Sequence, residues 1–398
     1  MTIQISRQNY SKRIENVRKQ MQAREINVFL VLNALSIQYL SGFWHLPTER
    51  PTALILPLDK DPVILTGQLE IRNVRQRAPW IGSEALYFDY PGMKPPLSLF
   101  AEKIRELELN RGTLAFDQRE YRAGSGISSQ GEPISEKLLE PAKLVWAGDI
   151  VSRMRYIKDE EEISILKECV FWGNLAMNVL QDYTVEGVSE AEVSLHAEYE
   201  ASRAMLRAMP DGWGPLAYGH GPAHVFMKAG PEAILSHRNP SNRKLRKGDV
   251  IYANASGNIY GYSDELERNL FVGEPDPKIR KLHDVAMKAQ DLAIDAVKPG
   301  KKCSDIQKVA FSAVKEAGYA DYVFHHVGHG RGISRHEPPF LDDGDSTEIM
   351  PNMEFSIEPK LLVEGLGHIG HSDTILVTKD GCEVVTYYPR DIASLTCK

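Results

Sequence analysis

The stretch GDVIYANASGNIYGYSDELERNLFVG, residues 248–273, constrains the fold more than any other segment. Residues 250–253 are a short apolar run, residues 266–272 contain Leu, Leu, Phe and Val, and Ser256-Gly257-Asn258 supplies turn residues between them, so the pattern predicts a β-hairpin. Glu265 and Glu267 are two positions apart, and alternate residues of a strand point to one face. The hairpin is therefore expected to place two carboxylates side by side. This arrangement suits ligand holding better than core packing, although an edge hairpin with solvated glutamates is the simpler alternative.

The composition is that of an ordinary globular protein, with 42% hydrophobic and 25% charged residues in a chain of 398. A chain of this length is expected to form two domains. The net charge of −7, with dispersed lysines and arginines, argues against nucleic acid or an anionic membrane as a partner. The four cysteines lack disulfide or zinc spacing, and no apolar signal or spanning segment is apparent. We therefore expect free thiols and a cytoplasmic location.

Strands alternate with helices in residues 1–154, which predicts an α/β amino-terminal domain with a mainly parallel or mixed sheet. Residues 11–25 have helical apolar spacing, with Ser11 as the expected cap. Asp159, which precedes three glutamates, is the expected cap of a helix near the start of a second domain, residues 155–398. Further helices are predicted at residues 99–107, 189–205, 278–297 and 304–316.

Three more blocks follow the hairpin in order: residues 325–337 (HHVGHGRGISRHE), 352–360 (NMEFSIEPK) and 369–378 (IGHSDTILVT). Together with the hairpin, they resemble the pita-bread superfamily of methionine aminopeptidases, prolidases and creatinases. The resemblance covers roughly residues 155–390. It implies an α+β catalytic domain with a curved antiparallel sheet and outer helices, preceded by the α/β domain of the creatinase type.

The superfamily's metallopeptidases hold two metal ions with five side chains: Asp, Asp, His, Glu and Glu. The positions that match this set by resemblance are Asn254, Glu265, His329, Glu358 and Ser372. Asn254 is neutral and Ser372 is a poor ligand for a divalent ion, whereas two neighbouring cations need bridging carboxylates. We therefore expect neither a metal nor another cofactor.

These departures resemble the creatinase branch, which hydrolyses a C–N bond without metal. The sequence Leu266-Glu267-Arg268 matches a Leu-Glu-Arg context in that branch. The resemblance implies a homodimeric hydrolase that cleaves a non-peptide C–N bond in a small zwitterion with a guanidino, amidine or ectoine-like group. In this interpretation His237 is the acid–base catalyst, and Glu267 and Glu358 grip the cationic group of the substrate.

Other side chains are expected to bind the substrate. His329, His336 and Glu265 would hydrogen-bond it or order the catalytic carboxylates. In the creatinase branch an amino-terminal loop reaches the active site of the partner subunit, and Arg50 is at about that position, where its planar fork suits a carboxylate. A surface arginine is the simpler alternative for Arg50, and a polar surface loop is the alternative for His237.

Two other functions stay open on the sequence. Glu265, His329 and Glu358 are two carboxylates and one imidazole, which is enough to hold one metal ion with open coordination positions. With such an ion the chain would be a metal-dependent Xaa-Pro aminopeptidase or dipeptidase. The chain could also be a non-catalytic binding protein on the same scaffold. Metal analysis separates the first two functions, and the presence or absence of turnover separates the third.

Overall fold

The computed structural model describes residues 4–88, 94–118, 135–211, 213–215, 221–236 and 238–397. The chain divides into two compact units, Ile5–Met154 and Arg155–Lys398. Among the described residues, no helix is both long enough and apolar enough to cross a membrane.

The amino-terminal unit is an α/β structure built on one mixed sheet. Its elements are α1 (Arg7–Ala23), β1 (Val28–Val31), α2 (Ala34–Ser41), β2 (Ala53–Pro57), β3 (Val63–Gly67), α3 (Ile71–Arg77), β4 (Gly82–Tyr87), α4 (Pro96–Glu106), β5 (Thr113–Phe116), α5 (Glu136–Leu139), β6 (Lys143–Trp146) and α6 (Asp149–Met154). The strand order is β4-β3-β2-β1-β5-β6. Strand β2 runs antiparallel to both neighbours, and the remaining pairings are parallel. The predicted mixed sheet is therefore present.

Helix α1 buries the face that its apolar spacing predicts. Ile14, Val17 and Met21 are all buried. The helix begins earlier than expected, because Ser6 is its cap and accepts a hydrogen bond from the Asn9 amide at 3.2 Å. The prediction of Ser11 as the cap is therefore wrong. Both serines precede residues with helical spacing, and the sequence alone does not distinguish them.

The carboxy-terminal unit combines antiparallel sheets with long helices. Its elements are α7 (Glu160–Tyr183), α8 (Glu190–Ala208), β7 (Ala223–Ala229), β8 (Val250–Ile259), β9 (Tyr262–Ser263), β10 (Leu266–Val272), α9 (Pro277–Ala296), α10 (Cys303–Glu316), β11 (Gly328–Gly330), β12 (Glu337–Leu341), β13 (Glu354–Ile357), β14 (Leu361–Val363), β15 (Gly367–Ile369), β16 (Asp373–Val377), β17 (Cys382–Val384), α11 (Ile392–Leu395) and β18 (Thr396–Cys397). Short 3-10 turns lie at Pro231–Ile234 and Ala320–Tyr322. Asp159 caps α7 through a capping box with Glu162, as predicted.

An antiparallel backbone pair joins two sheets in this unit. One sheet has the order β18-β10-β8-β7, with β9 paired to β8, and the other has the order β12-β11-β13-β16-β17. Glu267 of β10 pairs antiparallel with Ser372, the residue before β16, and their backbone N–O distances are 3.1 and 3.2 Å. Strands from the two sheets therefore bring their side chains to one place.

The predicted hairpin exists, but its turn is not where the sequence suggested. Strand β8 continues through Ser256-Gly257-Asn258 as far as Ile259, and the chain reverses at Tyr260 and Gly261, which have φ values of 50° and 86°. Gly257 instead allows helix α7 to approach the strand. A Cβ atom at this position would lie 2.6 Å from the backbone carbonyl oxygen of Cys169. The small residue marks close packing rather than a turn.

We expect the substitution Gly257→Ala to destabilise the protein by about 1–3 kcal/mol, because the new methyl group meets a helix backbone that has little freedom to move. Denaturant unfolding followed by circular dichroism measures this change. Gly381→Ala is the matched control, because a Cβ atom there has no neighbour within 4 Å. Equal stability of the two variants would show that α7 adjusts without cost.

Candidate functional site

A cavity of about 670 Å³ in the carboxy-terminal unit contains most of the chemistry predicted from the sequence. Glu265, Glu267 and Glu358 line it and are all buried. One oxygen from each of these three carboxylates lies within 4.8 Å of the others. His329, also buried, adds an imidazole beside them. The cavity thus concentrates negative charge where little water can screen it.

The fold explains why these side chains meet. Glu267 lies on β10, and Glu265 precedes that strand, so strand alternation directs both side chains to one face, as predicted. His329 lies on β11, which pairs with β13, and Glu358 follows β13. The Glu358 amide donates to the Val327 carbonyl at 2.6 Å, which holds the glutamate beside β11.

Glu265 is held by an arginine and a serine. The Arg331 Nη1 atom lies 2.7 Å from Glu265 Oε2, and the Ser372 hydroxyl donates to Oε1 at 3.0 Å. Burial, the largest single influence, would raise the pKa of Glu265, but Arg331, His329 and Lys360 together lower it below its usual value. Arg331 also donates to the backbone carbonyls of Ser263 and Asp264, at 3.2 and 2.6 Å. The arginine therefore fixes the glutamate and the segment before it.

Lys360 lies between the other two carboxylates. Its Nζ atom is 2.7 Å from Glu267 Oε2 and also contacts Glu358 Oε2 closely. Burial raises the pKa of Glu267, and nearby Glu265 and Glu358 raise it further, so that Lys360 only partly offsets these effects. Burial would also raise the pKa of Glu358, but Lys360 and His329 hold it well below its usual value. Glu358 is therefore ionised near neutral pH.

The His329 Nε2 atom is 3.4 Å from Glu358 Oε1 and 3.8 Å from Glu265 Oε1. It is buried and makes no hydrogen bond with any described residue. Burial would lower the pKa of His329, but Glu358 and Glu265 outweigh burial and raise it. Either a proton on Nε2 or a metal ion between these atoms would compensate the negative charge of Glu358 and Glu265.

The residues present do not fit a pair of metal ions. The two neutral side chains that match acidic ligands by resemblance act as hydrogen-bond donors: Asn254 Nδ2 donates to Glu267 Oε1 at 3.1 Å, and Ser372 donates to Glu265. Lys360 already brings a positive charge between Glu267 and Glu358. A second divalent ion would lie beside this ammonium without an additional carboxylate to bridge it.

The residues do fit one ion. Ligand atoms that share an ion at about 2.1 Å are about 3 to 3.6 Å apart, and the distances from His329 Nε2 to Glu358 and Glu265 are close to this range. His336 offers a further ligand atom, which lies within 4.8 Å of those from Glu265 and His329. Glu265, His329 and Glu358, with His336 beside them, could hold one divalent ion. The expectation of no metal therefore stays a prediction.

The remaining predicted residues lie in different places. His336 lines the cavity, and its ring centroid is 4.0 Å from that of His329. Arg50 belongs to the amino-terminal unit, where its Nη1 atom pairs with Glu49 at 2.7 Å. His237 lies outside the described residues. The catalytic and binding roles predicted for these side chains stay predictions.

Sequence reasoning missed three functional candidates, Lys360, Arg331 and Tyr252. Tyr252 donates its hydroxyl to Glu267 Oε1 from the neighbouring strand. Lys360 and Arg331 each follow a predicted site residue, Glu358 or His329, by two positions. Since alternate residues of an extended chain share a face, this spacing was a signal that could have identified both cations.

Comparisons with known proteins agree with this architecture. Residues 166–379 match metallopeptidase family M24, and residues 13–157 match the creatinase/prolidase amino-terminal domain. The putative dipeptidase YkvY of Bacillus subtilis is 28% identical over 360 residues, which cover 90% of this chain and 93% of that protein. An uncharacterized peptidase of Staphylococcus saprophyticus is 26% identical over 379 residues, which cover 95% of this chain and 100% of its own.

Solved structures share the fold. The recombinant prolidase from Thermococcus sibiricus has a TM-score of 0.82 at 23% identity, covering 98% of this chain and 99% of its own. The Xaa-Pro dipeptidase from Bacillus anthracis has a TM-score of 0.78 at 23% identity, covering 96% and 99%. The predicted superfamily, with its α/β and pita-bread domains, is confirmed.

The predicted reaction, however, is wrong. We expected a metal-independent, creatinase-like hydrolase of a non-peptide C–N bond. The family match is to metallopeptidases, and the relatives are named as peptidases or a dipeptidase. The inference failed because the lost ligands were treated as evidence for one branch, although residues that have lost a two-metal site can still hold one ion.

We expect Arg331→Met to cost about 3–5 kcal/mol of stability, because it leaves the buried Glu265 carboxylate without its charged partner. Chemical denaturation measures the loss. Arg203→Met is the control, since Arg203 forms a surface pair with Glu200 on α8 and its removal should change stability by less than about 1 kcal/mol. Similar losses in the two variants would contradict the role given to Arg331.

Proposed function

Because the chain belongs to metallopeptidase family M24, we propose that it is a peptidase that hydrolyses the peptide bond of a dipeptide or a similarly short peptide. The observation that carries this proposal is the cluster of Glu265, His329 and Glu358 in the 670 Å³ cavity. A cavity of that size is suited to a small ligand. The relatives named as peptidases support the same chemistry.

Glu265, His329 and Glu358 would hold one divalent ion. When bound, such an ion polarises the peptide carbonyl and acidifies a water molecule. The chain's own contribution is to supply the ligands on rigid strands and to keep them ionised. Arg331 serves this purpose at Glu265, and Lys360 and His329 do so at Glu358.

Glu358 has two roles in this proposal, as a ligand of the ion and as the general base. Its carboxylate is buried and ionised, and its Oε1 atom faces His329 while Oε2 faces Lys360. It can accept a proton from the attacking water as the water oxygen bonds to the peptide carbon. The same proton then passes to the leaving nitrogen as the C–N bond breaks. His336, at the exposed side of the cluster, can hydrogen-bond the substrate.

The cavity walls favour a substrate with one anionic end and an apolar residue. Lys228 and Arg335 provide positive charge, and Phe226, Tyr252 and Leu362 provide apolar surface. Burial, the largest influence, lowers the pKa of Lys228 to about 8, which leaves it mostly charged at neutral pH. A free carboxylate beside these cations and a ring such as proline against the apolar wall would fit a dipeptide of the Xaa-Pro type.

Several finer predictions accompany this proposal. The homodimer, the cytoplasmic location, the placement of Arg50 in a partner's site and the acid–base role of His237 stay predictions. We also propose the predicted domain boundary, which lies between residues 154 and 155.

The proposal predicts that the purified protein releases free amino acids from dipeptides, with Xaa-Pro substrates tested first, in the presence of Mn²⁺, Co²⁺ or Zn²⁺. Glu358→Gln should lower kcat by about 100-fold or more, because it removes the base and one anionic ligand. Chelation should abolish turnover, and the added ion should restore it. Amino-acid analysis of the reaction mixture measures the products.

Glu364→Gln is the matched control, since Glu364 is exposed in the turn between β14 and β15. It should retain wild-type turnover. Wild-type protein that cleaves no dipeptide with any of the three ions would overturn the proposed peptidase activity. Turnover that survives complete chelation would overturn the proposed ion.

A further inference from the structure

We propose that the Lys360 ammonium is a resident cation that takes the place of one of two metal ions, so that this cavity binds a single divalent ion. The inference deepens the proposed function, on which its catalytic consequence rests. The comparison with two ions comes from the family resemblance, and the predicted number of ions rests on the geometry of the described residues and not on the reaction.

The first observation is the position of Lys360 between two carboxylates. Its Nζ atom is 2.7 Å from Glu267 Oε2 and is in close contact with Glu358 Oε2. The lysine side chain is only 10% exposed, and the two carboxylates are less exposed still. The ammonium also lies 5.5 Å from the ring centre of Tyr252. Lys360 is therefore a buried cation with two anionic partners and an aromatic neighbour.

The second observation is the neutral chemistry around this lysine. Asn254 Nδ2 and the Tyr252 hydroxyl both donate to Glu267 Oε1. Glu267 therefore accepts hydrogen bonds from Asn254 and Tyr252 on one oxygen and pairs with the Lys360 ammonium through the other. A divalent ion would instead need acceptors directed towards it. The hydrogen bonds to Glu267 suit an ammonium better than a second metal ion.

The third observation is that the side of the carboxylate cluster facing His329 can accept an ion. His329 Nε2 is buried without a hydrogen-bond partner among the described residues, and it lies 3.4 Å from Glu358 Oε1. Glu358 thus directs one oxygen to Lys360 and the other to His329. The lysine fixes the orientation of Glu358 and leaves one ion position, so we assign it a positioning role in the proposed hydrolysis.

The test is the number of ions bound per chain, measured by calorimetric titration of metal-free protein with Mn²⁺ and by metal analysis after dialysis. Wild type should bind one ion. Lys360→Met removes the ammonium but keeps the aliphatic stem, so it should gain a second binding event at Glu267 and Glu358. Its melting temperature in metal-free buffer should fall by about 10 °C, and Mn²⁺ should restore more of this loss than it adds to the wild type.

Lys228→Met is the matched control. Lys228 also lines the cavity, but its Nζ atom donates to the backbone carbonyl of Ser236 at 2.6 Å. This variant should still bind one ion. If Lys360→Met does not fold without metal, refolding it and Lys360→Gln with Mn²⁺ replaces the titration. If Mn²⁺ restores the folded state of either variant, the inference is supported. If neither variant folds with Mn²⁺, the inference is overturned.

Two ions per wild-type chain would overturn the inference while leaving the peptidase activity intact. A Lys360→Met variant with unchanged ion number and melting temperature would also overturn it, as would a wild type that binds no ion. A wild type that binds one ion but cleaves no dipeptide would instead overturn the proposed function, and the inference about Lys360 would still hold. The two failures are therefore distinguishable.

Discussion

The compensation of buried negative charge is the constraint on which the site depends. Glu265, Glu267 and Glu358 lie together and are buried, and an uncompensated buried carboxylate is costly. Arg331 neutralises the first, and Lys360 is shared by the other two. These cations come from the chain itself, so the cluster can form during folding before any ligand arrives.

The backbone makes this compensation possible by joining two sheets. The pair between Glu267 and Ser372 brings β10 beside the start of β16 and delivers the Ser372 hydroxyl to Glu265. On the other sheet, the extended chain after β13 presents Glu358 and Lys360 towards β10. The same junction also places Arg268 against Asp373 at 2.7 Å, a fully buried ion pair behind the site. Charge pairing on both sides of the junction therefore fixes the relative position of the strands that carry the ligands.

Much of this architecture could be predicted from local sequence. The cap at Asp159, the shared face of Glu265 and Glu267, and the buried spacing of α1 follow from patterns with short range. The turn near Gly257 could not be located, because a glycine signals either a turn or close packing, and only the approach of α7 decides between them. The pairing of Lys360 with Glu267 spans 93 positions, and composition or periodicity carries no information about it. The reaction was misjudged for a related reason: the neutral residues Asn254 and Ser372 can be read from the sequence, whereas the carboxylates that Lys360 and Arg331 pair with are known only from the structure.

The charges of the side chains in the site are consistent with one another. Asn254 and Ser372, which match acidic ligands by resemblance, are neutral, and Lys360 and Arg331 pair with the nearby acids Glu265, Glu267 and Glu358. Among the side chains that pair directly with one another, three carboxylates and two cations leave one negative charge beside His329, which a proton on His329 would neutralise. The raised pKa of His329, which Glu358 and Glu265 cause in spite of burial, agrees with this balance. A single divalent ion would displace that proton and take over its role beside the same two carboxylates. The charges around His329 are therefore compatible with the single ion that we propose.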